Sequence, residues 1–225
     1  MPCNMQAACP SRYPSGMGNP LLKWVLGIAA TLAVVFAAVL AAGAIQKRVQ
    51  QRHVAETVRD TTEKLRQGLA AKPAPELVAA IDANLKLARA PRDPAFAEAA
   101  ESYIVSAREI VRRRGDIERL ERQAAASRQA LAGHMAGAAR RNEAWMHGAL
   151  ALKKRVESDY FDLNVTFKAL EELLFRLPES ATRLEPRVGS GALLEASLIA
   201  AARKQTQDEA RRANEELARL RRIGP

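Results

Sequence analysis

Any chemistry in this 225-residue chain would have to be built from three histidines, 25 acidic residues and two cysteines. His134 and His147 are thirteen residues apart, so one helix would carry them on different faces. A zinc pair needs two histidines one turn apart, and His53 stands alone. Asp159 and Asp162, and the neighbours Glu171 and Glu172, are carboxylates that could do acid–base work if a pocket gathered them. Lys168 and Arg176 lie one turn away, which reads instead as surface ion pairing. There is no GxSxG elbow, no Walker-type glycine loop and no dinucleotide fingerprint. Cys3 and Cys9 sit in the N-terminal tail with no histidine nearby, so neither a metal site nor a disulfide framework is expected. Arg114-Gly115-Asp116 spells an adhesion tripeptide, which an Arg-rich chain produces by chance. The residues therefore point away from an enzyme, and no cofactor or metal is expected.

The net charge is +10. Arg112–Arg114, Arg140-Arg141, Lys153–Arg155 and Arg211-Arg212 could form a phosphate-binding face. Acids interleave with them (Glu109, Asp116, Glu118, Glu143, Glu157, Asp208, Glu209), and no nucleic-acid motif frames them. Solvated helix faces are the plainer reading, and a nucleic-acid partner is not expected.

The element that must position everything else is Leu21–Ile45, LLKWVLGIAATLAVVFAAVLAAGAI. From Trp24 to Ile45 no residue is charged. Those 22 residues make about 33 Å of helix, enough for a hydrocarbon core of about 30 Å. Lys23 and Trp24 at one end, and Lys47, Arg48 and Arg52 at the other, are suited to the two interfaces. A retained signal anchor in a bacterial inner membrane is the favoured reading, with the Arg-over-Lys and Ala-rich usage as the bacterial cue. Ala42-Gly43-Ala44 also fits a signal-peptidase site, so a secreted product cut near Ala44 is an alternative. Met17 is an alternative start. The cation count after the apolar stretch exceeds that before it, which favours a cytoplasmic large domain by a narrow margin.

Beyond residue 45 the periodicity is helical and no strand is predicted, so the fold class is all-α: an N-terminal transmembrane helix, then an elongated bundle with a coiled-coil-like long helix. The expected segments are a disordered tail (1–20), the transmembrane helix (21–45), membrane-proximal helices (46–114), a heptad-patterned helix (115–177), a loop (178–190) and a C-terminal helix (191–225). Pro73, Pro91 and Gly115 would bound or kink the helices of 46–114, and Pro178 would end the long one. The seam of that helix alternates steps of three and four for 61 residues, a rod of about 90 Å. Leu120, Leu131, Trp145, Leu152, Val156, Tyr160, Leu163, Phe167, Leu170, Leu174 and Leu177 occupy it. Gly133, Gly137 and Gly148 thin its middle, where Ser127, His134 and Arg141 also fall in core positions. The C-terminal helix should pack antiparallel on the rich half (152–177), and the helices of 46–114 on the thin half. Residues 142–175, holding Trp145, Tyr160, Phe161, Phe167 and Phe175, should be the core.

Function then reads as binding: a membrane-anchored scaffold or assembly factor of an envelope, division or secretion complex. Its partners would be the lipid bilayer and a second copy or another helical protein. The alternative is a periplasmic helical-bundle sensor, which usually needs a second transmembrane helix to pass a signal inward.

Overall fold

The computed structural model describes residues 20–70, 75–88, 93–137 and 143–222. Cys3, Cys9, Met17, Pro73, Pro91, Arg140 and Arg141, and the side chain of Lys23, lie outside the described residues. Among the described residues the chain is all-α, with no strand: α1 (Pro20–Ala70), α2 (Pro75–Ala88), α3 (Pro94–Ala136), α4 (Glu143–Val188) and α5 (Ala196–Arg222), with a 3-10 turn at Ser190–Ala192. The chain divides into two units, Met1–Gln46 and Lys47–Pro225. In the first, the described side chains are exposed, including Trp24, Leu32, Phe36 and Leu40. This apolar stretch is the one candidate membrane-crossing helix among the described residues.

The second unit closes its own core. On α1, Val54, Val58 and Leu65 form one buried stripe. Gly68 is needed at a close approach: a Cβ there would lie 2.8 Å from Val111 Cγ2 on α3. Pro75 at the start of α2, Glu76 in its first turn and Lys86 in its last suit the helix dipole. Asp93 caps α3 by accepting a hydrogen bond from the Phe96 N–H at 3.2 Å, with Pro94 in the first turn. Phe96, Ala100, Tyr103, Ala107, Ile110, Ile117, Leu120 and Ala124 then bury one face of α3.

The expected rod of 115–177 is instead a hairpin. α3 ends with Gly137 as its C-cap and α4 begins at Glu143. Its two limbs lie antiparallel, as the pairs Ser127–Asp159, His134–Trp145 and Asp93–Arg187 establish. The physical reason lies in the thin middle of the seam. Three glycines and a run of alanines give a rod little to bury there, whereas folding back lets each half bury the other. Gly115 does not stop α3, which runs through it with Val111 and Ile117 buried on either side. Pro178 does not end α4, which runs through Pro178 and Pro186 to Val188. Leu174, Leu177 and Leu184 are fully buried around these prolines, and that burial outweighs a local cost of about 3 kcal/mol. The stop comes at Gly189, whose φ of 80° favours glycine. Thus 178–190 is largely helix rather than loop, and α5 begins at Ala196 rather than near 191.

α5 packs antiparallel along α4, with Gln207 on Glu171 and Arg203 over the Phe175 ring. The helices before residue 114 do not pack on the thin half as expected. They meet the far end of α4 and the turn after it: Arg187 lies 5.3 Å over Phe96, and Thr62 bonds Ala192. α1 therefore lies at the open end of the α3–α4 hairpin, and α5 lies along its middle, from Phe175 and Arg114 to Arg128.

Two substitutions test this packing. Leu170 is fully buried, so Leu170→Ala should cost about 2–5 kcal/mol and Leu170→Asp should abolish the thermal transition. Gly68→Ala should lower the melting temperature, since Val111 must give way, while Gly133→Ala, with nothing within 4 Å, should raise it.

Candidate functional site

Eight of the eleven seam residues are buried: Leu120, Val156, Tyr160, Leu163, Phe167, Leu170, Leu174 and Leu177. Leu131, Trp145 and Leu152 are half-buried at the hairpin's thin end. The eight buried ones hold the fold and turn away from solvent. Of the anchor flanks, Trp24, Lys47, Arg48 and Arg52 are exposed.

Three polar clusters inside the second unit were not legible as clusters. Asp159 is not the surface carboxylate that its sequence neighbours suggest; it is 4% exposed, accepting from Gln123 Nε2 at 2.5 Å and Ser127 Oγ at 2.6 Å. Ser127 is thus no flaw in the seam but the partner of a buried acid, and a charge so placed needs such donors. His134 stacks on Trp145 at 5.5 Å between centroids. The Trp145 Nε1–H donates to the His134 carbonyl at 3.1 Å, and the imidazole Nε2 lies 2.9 Å from the Trp145 carbonyl. Gly148 leaves room for this ring: a Cβ there would sit 2.9 Å from His134 Cε1. The GxxxG spacing of Gly133 and Gly137 makes no close approach, since no side chain lies within 4 Å of either.

The third cluster locks the segment after α4. The Leu194 N–H donates to Tyr103 OH at 3.3 Å. Tyr103 OH and Thr62 Oγ1 lie 2.9 Å apart, and Thr62 Oγ1 donates to the Ala192 carbonyl at 2.8 Å. One consistent chain runs from the Leu194 amide through both hydroxyls to the Ala192 carbonyl. It ties α1, α3 and the 190–194 turn together in a buried site. Burial pushes the Tyr103 phenol above its ordinary value, against the lowering effect of Thr62 and the Leu194 amide. Near it, Asn84 Nδ2 donates to Asp60 at 2.6 Å and to Thr61 Oγ1 at 3.0 Å, fastening α2 on α1. The Lys64 hydrogen bond, helped by Asn84 and opposed by burial, holds Asp60 below the usual carboxylate range.

Many of the other charged groups form pairs along or between helices. Glu172 meets Arg176, as the one-turn spacing suggested, while Glu171 accepts from Gln207. Arg114 reaches Glu209 at 2.7 Å, Arg128 reaches Glu216 at 3.0 Å and Arg211 reaches Asp208 at 3.1 Å. A cleft of about 300 Å³ lies between α3, α4 and α5, where Arg128 and Arg212 face Glu121, Glu209 and Glu216. Among the described residues no three His, Cys, Asp or Glu gather as a metal site.

What the seam reading missed is the outer face of α4. Phe161 and Phe175 were expected in the core; they are 59% and 65% exposed. Val165 and Leu150 join them at 51% and 37%. At 100° per residue these four fall within an arc of about 80° on one side of α4. Lys154, Glu157, Lys168 and Glu172 fall in the same arc. The signal was present in the sequence as a second three-and-four spacing (150, 154, 157, 161, 165, 168, 172, 175), but the stronger seam beside it absorbed the aromatics.

No protein-family model matches the chain, and no curated protein or solved structure is similar to it.

Tyr103→Phe should cost about 1–3 kcal/mol, because the Leu194 amide loses its acceptor and Thr62 its donor. A phenol whose folded pKa lies above the unfolded one contributes fully below about pH 10 and loses that contribution as pH rises further. Denaturant melts from pH 8 to 11 should show wild-type stability falling above about pH 10 more steeply than in Tyr103→Phe.

Proposed function

We propose that the chain is a single-pass membrane-anchored helical protein that acts by protein–protein interaction, as a scaffold or assembly factor of an envelope, division or secretion complex. The observation that carries this reading is the outer face of α4. A domain that buries its seam inside its own hairpin nevertheless leaves two phenylalanines, a valine and a leucine in solvent along one helix. Aligned exposed apolar side chains of this kind mark contact surfaces more than they mark sites of chemistry. The apolar segment before Lys47 supports the anchor, by its length and by the exposure of its described side chains. A bacterial inner membrane is the compartment that the residue usage favours, with the domain on the cytoplasmic side by the cation count.

A photo-crosslinking residue in place of Phe161, in cells, tests this reading, with the same residue in place of exposed Arg119 as control. A discrete protein adduct from position 161 alone is expected; no adduct from either position would overturn an interaction role. Blots of the same chain carrying C-terminal alkaline phosphatase or a cytoplasm-maturing fluorescent protein should show full length in the membrane fraction. A soluble product shorter by about 44 residues would replace the anchor with a cleaved signal peptide.

A further inference from the structure

The outer face of α4 is self-complementary. Counted from Leu163, Phe161 and Val165 lie two positions to either side, Glu157 and Lys168 six and five, Lys154 and Glu172 nine each, and Leu150 and Phe175 thirteen and twelve. Turning this stripe end for end about Leu163 brings apolar onto apolar at the centre and at both ends. It brings lysine onto glutamate at each place between. A parallel alignment would set Lys154 beside Lys154 and Glu157 beside Glu157, a like-charge penalty at every polar step. From this we propose that the partner of this face is a second copy of the chain, docked antiparallel through α4 about a two-fold axis at Leu163. The proposal rests on the interaction reading above and names its partner.

The two-fold makes the contact isologous, so one surface serves both chains. The inner face of α4 is occupied by α3 and α5, and the pairing leaves that core undisturbed. Arg203 covers one side of the Phe175 ring and leaves the outward edge exposed. Glu172 is shared with Arg176 within the chain, an exposed pair that yields to a cross-chain lysine at little cost. The stripe is about 38 Å long and, at about 10 Å wide, buries roughly 800 Å² across both chains. That is the area of a weak pair.

The register is read by cysteine cross-linking of the full chain in detergent, where either helix direction is open to the pair. The sequence has two cysteines, Cys3 and Cys9, and Cys3→Ser with Cys9→Ser gives a clean background. In the antiparallel pair, position 161 of one chain is offset from position 161 of the other by about 6 Å along the axis, and position 150 from position 150 by about 39 Å. Phe161→Cys should therefore form a dimer with a short bismaleimide. Leu150→Cys and Phe175→Cys should each fail alone and cross-link when the two chains are mixed. Lys154→Glu should abolish the Phe161→Cys dimer band, and adding Glu172→Lys should restore it, with unchanged thermal melting in both. Self-linking at all three single positions would mean a parallel pair and would overturn the proposal, as would the absence of any cross-link. In the latter case a photo-adduct with a different protein at position 161 would leave the interaction reading standing, and no adduct would remove both.

Discussion

The structure depends on the antiparallel packing of α3 against α4. Each helix is too long and too thinly apolar at its turn end to stand alone, and neither reaches a full core without the other. The pair is held in register by a few directional contacts among the apolar ones: Asp159 between Gln123 and Ser127 near the middle, His134 on Trp145 at one end, Arg187 on Asp93 at the other. A shift by one helical turn would leave a buried carboxylate without donors, which costs more than the apolar contacts it would exchange. With the hairpin set, α1 and α2 cover its open end, α5 covers its middle, and the Thr62–Tyr103–Leu194 chain fixes the turn between α4 and α5.

Much of this core was legible in the spacing of residues. Leu163, Phe167, Leu170, Leu174 and Leu177 fall every three or four positions and all turn inward. Val54, Val58 and Leu65 do the same on α1, and Asp93-Pro94 marks the start of α3. What could not be read were the places where distant parts of the chain override a local signal. A seam periodic from Ile117 to Leu177 looks the same whether it runs on or folds back, because the repeat is blind to the direction of the partner. Pro178 is a breaker by its own geometry, yet Leu174 and Leu184 hold helix on both sides of it. Asp159 looked solvated because its donors, Gln123 and Ser127, are more than thirty residues away in sequence. Phe161 and Phe175 were assigned inward by type, although their positions fall on the second stripe.

That second stripe joins fold to function. Folding the seam into a hairpin buries its apolar face within the chain. It also turns the opposite side of α4 outward as a straight row of alternating apolar and charged residues. An exposed apolar segment long enough to cross a membrane and this row are the two features on which the proposed scaffold role rests. Its charges act in the same sense: most pair along or between neighbouring helices, while Lys154, Glu157 and Lys168 lie along the apolar row, where they would select the partner's direction.

Sedimentation equilibrium of the full chain in density-matched detergent tests this most directly, with wild type compared with Phe161→Glu/Val165→Glu. Concentration-dependent dimerisation of the wild type, and a monomer of unchanged melting temperature in the variant, is the result expected. A wild type that stays monomeric at every concentration, or a dimer indifferent to both substitutions, would contradict it.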